Sequence, residues 1–215
     1  MRQTLIALTL LFATPAFAQE AAVPPAEQAP PEPVAVTPAP SNPPMTGPKL
    51  LISTAMGDIT LQLDSVRAPK SVANILDYVK RKHYDGTAVY RVAPGFVIQM
   101  GSWDTNGKPR GVRPAAVPLE ANNGLSNLRG TVALAREEAP NTAKAEFFIN
   151  LVDNVRLDRN PSDPGNNTGY AVFGQVIAGM EVVDAIGAVA VGDNGPMPGQ
   201  APVTPILIKR IAVIK

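Results

Sequence analysis

Between Val89 and Gly101 the chain reads Val89-Tyr90-Arg91-Val92-Ala93-Pro94-Gly95-Phe96-Val97-Ile98-Gln99-Met100-Gly101. One arginine and one glutamine stand among apolar residues, with no histidine, cysteine or acid in the run to act as nucleophile or base. A strand on either side of a Pro94-Gly95 turn projects Arg91, Phe96 and Gln99 from one patch. Hydrolysis is poorly served by such a set. It suits a site that grips an apolar ring and a peptide backbone while a guanidinium does electrostatic work. His83, the one histidine, has no partner cluster and precedes the Tyr84-Asp85-Gly86 turn, so it reads as structural or exposed. Asp58 and Asp64 read as solvated strand positions. No zinc, phosphate-loop or nucleophile motif is present, and no metal or cofactor is implied.

The elements that must position these residues follow from periodicity. Leu50 to Thr54 and Ile59 to Leu63 flank Met56-Gly57-Asp58 and predict a hairpin; Ile59, Leu61 and Leu63 alternate with polar residues. Pro69 starts a helix whose Val72, Ile75, Leu76 and Val79 form an apolar stripe. The basic run Lys80-Arg81-Lys82 ends it, where cations favour the negative end of the dipole. Further strands are expected at 87–92, 96–101, 130–136, 147–151, 170–176 and 205–214, with a second helix from Met180 to Ile186 stopped by Gly187. Many short strands and two helices suggest a closed barrel with plugged ends, and composition alone does not separate that from a sandwich.

Three blocks, in order, resemble one family. The run from Val89 to Gly101 resembles the active-site signature of cyclophilins, the peptidyl-prolyl cis-trans isomerases. Gly130-Thr131-Val132-Ala133-Leu134-Ala135-Arg136 followed by Glu146-Phe147-Phe148-Ile149-Asn150 resembles a second family segment, and Tyr170-Ala171-Val172-Phe173-Gly174-Gln175-Val176 a third. The resemblance covers roughly residue 50 to the C-terminus. It implies a mainly β fold, an eight-stranded antiparallel closed barrel capped by two α-helices, and acceleration of rotation about X-Pro bonds.

That rotation is slow because twisting the amide forfeits resonance worth roughly 18–20 kcal/mol. The twisted nitrogen regains its lone pair and becomes a hydrogen-bond acceptor, so a cationic donor aimed at it favours the transition state over the planar ground state. Arg91 matches the family's catalytic arginine, and Gln99, able to donate and accept, grips substrate backbone and orients Arg91. Phe96, Phe148 and Leu157 match positions lining the proline pocket, with Val97 beside them. Ala135 and Arg136 flank the groove for residues before proline. Tyr170 takes the place of a frequent histidine.

Four residues depart from the family pattern. Tyr90 replaces a histidine, a mild change. Met100 replaces a glycine and is expected to crowd its strand. Glu146, a substrate-groove position, stands where glutamine is usual; pointing into the groove it would lose a substrate carbonyl contact or pair with Arg91 or Arg136, and by occupying Arg91 it would lower activity. Arg156 replaces the tryptophan whose indole bonds cyclosporin in drug-sensitive members, so weak cyclosporin binding is expected. The segment 159–167 reads as a surface loop longer than the family minimum.

The 215 residues include 23 prolines and no cysteine, and carry a net charge of +1. Residues 1–18 read as a signal peptide: Arg2, an apolar stretch from Thr4 to Ala13 too short to span a bilayer comfortably, and Ala16-Phe17-Ala18 as the cleavage pattern. Export to a bacterial periplasm follows, with no stable membrane insertion after cleavage. Residues 19–48 form a Pro/Ala-rich linker expected to stay extended and mobile. Residues 49–215 make one domain with 18 basic and 15 acidic side chains, a net +3 that suggests no nucleic-acid surface. The expected partners are proline-containing peptides and unfolded exported proteins, bound by a monomer. Weakly active proline-segment binding, or a holding chaperone, is the alternative that Glu146 and Met100 favour.

Overall fold

Strict alternation builds the first hairpin. Leu50 and Ile52 of β1 (Lys49–Thr54) lie opposite Leu61 and Ile59 of β2 (Gly57–Leu63), and all four side chains are buried. The computed structural model describes residues 41–112, 115–163 and 168–215. The expected signal peptide, most of the linker, and residues 164–167 of the loop after Leu157 lie outside them.

Helix α1 (Pro69–Lys80) opens on its proline, whose missing N–H costs nothing in a first turn, and turns Val72, Ile75, Tyr78 and Val79 inward. It stops at the basic run, where Lys82 adopts φ 55° and Arg81 pairs back to Asp77 at 2.9 Å. Strands β3 (Thr87–Ala93), β4 (Val97–Asp104), β5 (Thr131–Leu134), β6 (Phe147–Asn150) and β7 (Val172–Ala178) follow. After them come helix α2 (Met180–Gly187), a ribbon of β8 (Val191–Gly192) and β9 (Ala201–Pro202), and β10 (Ile206–Ile214). Eight strands close an antiparallel barrel in the order β1-β10-β3-β4-β6-β5-β7-β2. Apolar residues of α1 and α2 pack into the same core as the barrel interior.

Most expected elements form within a residue or two of their sequence limits. β4 is longer than expected, running to Asp104, where backbone bonds from Asp104 to Lys108 close the next turn. β5 is shorter at both ends, Thr131–Leu134, and Gly130 at φ 79° turns the chain just before its start. The β8–β9 ribbon, two residues a side, has no sequence periodicity to betray it.

The barrel wall is packed on two faces. Ile98, Met100, Val132, Phe147 and Ile149 face the main core. Their neighbours Val97, Ala133, Phe148 and Val172 face a second cluster outside the wall, with Phe96, Ala135, Leu157 and Tyr170 against it. Met100 therefore does not crowd its strand; it fills the barrel interior and is fully buried.

Asp64 is corrected from solvated to fully buried. It sits at the end of β2 and receives the Val66 and Arg67 backbone N–H groups and the Arg67 guanidinium, at 2.7 Å for the last. A carboxylate so satisfied can be buried in a turn that leads into a helix. Asp58 is exposed, as expected. The described end of the linker, from Asn42, is bound to the barrel: Leu63 N donates to Pro48 O at 3.0 Å and Ser65 N to Thr46 O at 3.0 Å. The packed chain thus begins before Lys49.

Candidate active site

A cross-strand row lays out the site. Register places Arg91 of β3 beside Gln99 of β4, Gln99 beside Phe148 of β6, and Phe148 beside Ala133 of β5. Because alternate residues of each strand face the core, the whole row falls on the outer face.

Arg91 is held from two sides. Its Nη1 donates to Gln99 Oε1 at 2.8 Å and its Nε to Gln200 Oε1 at 2.6 Å. Gln99 in turn donates from Nε2 to the Tyr90 hydroxyl, so the orientation of its amide is set by a donor on one side and an acceptor on the other. Two of the five guanidinium N–H groups are used in these contacts, and they fix the plane of the fork without a counter-charge.

Around Arg91 lies a cavity of about 300 Å³ lined by Phe96, Val97, Gln99, Ala135, Arg136, Phe148, Leu157, Tyr170 and Met197. The Phe148 and Tyr170 rings meet edge to face with centroids 5.6 Å apart. Arg136 lies 4.7 Å over the Tyr170 ring and is bonded to Gly169 O, Thr168 Oγ1 and the Glu137 and Glu138 carbonyls. It therefore acts as a fixed plate of the wall. Arg156 lies 4.7 Å over the Phe96 ring. A half-buried set behind the wall holds Leu157: Asp158 accepts from Asn127 N at 2.7 Å and from the Ser126 hydroxyl, while Tyr170 N donates to Leu157 O at 2.9 Å.

Every expected site residue except Glu146 lines this cavity. Glu146 borders a neighbouring space of about 360 Å³ that shares Gln99, Ala135 and Arg136 with it. The expected pairing with Arg91 or Arg136 is not formed, since Gln99 and Gln200 hold Arg91 and carbonyls hold Arg136. The reason is Gly101: Glu146 lies opposite it, one step beyond the Met100–Phe147 pair, and folds over the space a side chain would take. A Cβ at Gly101 would fall 2.4 Å from Glu146 Oε2. The carboxyl faces Ser102 and Tyr90, and its Oε2 has no well-aligned partner. Two departures from the family pattern, Tyr90 and Glu146, thus face each other.

Burial raises the Glu146 carboxyl above its ordinary value of 4.5, against the opposing pull of Ser102 and Tyr90. A carboxyl with a raised folded-state value holds more protons folded than unfolded, so ionising it costs stability above that value and nothing below about 4.5. Glu146→Gln is expected to raise Tm at about pH 7 and to lose that gain as the pH falls through the raised value toward pH 4. A gain undiminished at low pH would show that charge burial is not its source.

His83 is buried rather than exposed: Nε2 lies 3.0 Å from Ser102 Oγ and the ring packs on Tyr78 and Tyr84, a structural role. Gln200 and Met197 were not anticipated. They come from the Pro/Gly-rich segment around β9, where no period marks a residue as facing the site.

Residues 49–213 match the family model described as cyclophilin type peptidyl-prolyl cis-trans isomerase/CLD. The chain is 43% identical over 170 residues to the peptidyl-prolyl cis-trans isomerase A of Dickeya dadantii, covering 79% of this chain and 86% of that protein. It is 41% identical over 160 residues to the peptidyl-prolyl cis-trans isomerase B of Escherichia coli, covering 74% and 96%. A cyclophilin type peptidyl-prolyl cis-trans isomerase from Cryptosporidium parvum shares the fold, with a TM-score of 0.63 at 24% identity over 78% of this chain and 98% of that one.

Proposed function

The chain belongs to the cyclophilin-type peptidyl-prolyl cis-trans isomerases, and from that premise we propose that Arg91 is the group that lowers the barrier. The family supplies the reaction class, an isomerase acting on proline-containing peptides. The observation that carries the finer reading is the double anchoring of Arg91 in the lining of a cavity that also presents Phe96, Phe148 and Leu157.

In that reading the proline ring enters between Phe96, Phe148 and Leu157. The guanidinium then waits where the imide nitrogen turns pyramidal. A planar amide nitrogen accepts no hydrogen bond, and a twisted one does, so the interaction is made chiefly in the transition state. Gln99 and Gln200 prepay the ordering of a long, flexible side chain, which is the advantage of a preorganised donor. The test is cis-trans exchange of a short Ala-Pro peptide by NMR, with the wild-type chain and with Arg91→Ala. Acceleration that collapses in the variant supports the role; acceleration that survives it moves the chemistry to the apolar walls.

The natural substrates in this reading are unfolded or newly exported proteins in a periplasm, an inference that rests on the signal-like residues 1–18. Detection of the processed chain in a periplasmic fraction checks it. The alternative of a weakly active binder loses its two supports, because Met100 is in the core and Glu146 does not engage Arg91.

Cyclosporin is expected to inhibit weakly. Arg156 lies over Phe96 where drug-sensitive members present an indole N–H. A submicromolar inhibition constant in a purified-enzyme assay would contradict this.

A further inference from the structure

Immediately before β1 lies Asn42-Pro43-Pro44-Met45-Thr46-Gly47-Pro48, outside the span of the family match. Its composition reads as linker, yet it is fastened along its length. Gln62 Nε2 donates to Gly47 O at 2.7 Å, and Arg67 Nη1 to Pro44 O at 3.3 Å. Gly47 passes so close to the barrel that a Cβ there would lie 2.8 Å from Leu63 O and 2.6 Å from Ser65 Oγ. The prolines reduce the entropy lost on docking, since they restrict the undocked chain as well.

Two contacts reach the catalytic face. Asn42 clamps Ser126 with both halves of its amide: Nδ2 donates to Ser126 O at 2.8 Å, and Oδ1 accepts from Ser126 N at 2.8 Å. Ser126 and Asn127 then bind Asp158, the residue next to Leu157, and Asn127 Nδ2 reaches Tyr170 O at 3.3 Å. Met45, only 8% exposed, packs in the outer cluster with Val97 and Phe148. One contact thus braces the polar support of the cavity wall and the other its apolar backing.

We propose that residues 42–48 are a strap that positions the proline site, with Asn42 and Met45 as positioning residues for the isomerase reaction. The proposal rests on reading the Phe148 cavity as the proline site. The strap touches the wall and not Arg91, so its loss weakens the grip on the ring in ground and transition states alike. Such uniform binding appears in KM and leaves kcat alone.

Steady-state kinetics on an Ala-Pro peptide with full-chain variants tests this. Asn42→Ala and Met45→Ala are each expected to raise KM about three- to ten-fold, the span that one or two neutral hydrogen bonds or their packing equivalent cover, with kcat little changed. Gly47→Ala, which prevents close docking, is expected to do the same. Met45→Leu, which conserves volume, restores the wild-type KM. Ile211→Val, in the main core, lowers Tm without moving KM. The proposal is overturned if the strap variants lower Tm as Ile211→Val does while KM stays at the wild-type value. In that case wild-type turnover that falls about ten- to a hundred-fold in Arg91→Ala leaves the site reading standing. Absence of wild-type turnover overturns both.

Discussion

Arg91→Ala is expected to lower kcat/KM for an Ala-Pro peptide by about ten- to a hundred-fold, the worth of one charge-assisted hydrogen bond of roughly 1.5–3 kcal/mol. The loss should fall on kcat, because the bond exists only once the imide nitrogen has turned pyramidal. Residual acceleration should remain, supplied by the apolar side chains of the cavity wall and the held backbone. Tm should move little, since Arg91 is half-buried on the outer face and its anchors, Gln99 and Gln200, are neutral side chains that water can satisfy. Arg91→Lys should rescue little. The two anchoring bonds leave from Nε and Nη1 of one rigid plane, and an ammonium on a flexible stem cannot reproduce both. Progress curves for the three proteins at saturating and limiting peptide separate these outcomes. A kcat unchanged in Arg91→Ala would remove the guanidinium from the mechanism.

Phe148→Ala is expected to cost about 3–5 kcal/mol of stability and to raise KM sharply as well. Phe148 is 5% exposed, forms part of the cavity wall, meets Tyr170 edge to face and packs in the cluster that contains Met45. Its neighbour provides the control. Phe147 is 2% exposed but faces the main core, against Tyr84 and Phe173. Phe147→Ala should lose comparable stability, read as the urea midpoint, and keep its KM where the protein is folded. With a domain's total near 5–15 kcal/mol, both variants must be assayed well below their unfolding temperature. Equal KM values for the two would mean that Phe148 is core alone and the cavity is not the proline site.

Much of this architecture was legible in the residues. Alternation in Ile59, Leu61 and Leu63 fixed the faces of β2, and the Val72, Ile75, Val79 stripe fixed that of α1. The motif around Pro94-Gly95 brought Arg91, Phe96 and Gln99 into one cavity. These are local properties: a period of two or 3.6 decides which side chains share a face, whatever the rest of the chain does. Glu146 was legible as unusual but misplaced, because where its carboxyl goes depends on a missing side chain at Gly101 on the adjacent strand. Asp64 looked solvated for a similar reason, its partners being backbone groups of a turn that composition does not display.

What only the tertiary structure decided is which distant segments complete the site. Gln200 reaches Arg91 across 109 positions of sequence, and Asn42 reaches Ser126 across 84. Neither residue sits in a periodic run, and each is an ordinary polar residue in a proline-rich stretch. The sequence by itself determined the barrel strands, their faces and the row of candidate site residues that register assembles on the outer wall. Barrel closure determined the rest, because joining β1 to β10 and β2 to β7 fixes where the loops and the strap can lie. Contacts between them follow from that three-dimensional proximity, which no local period encodes.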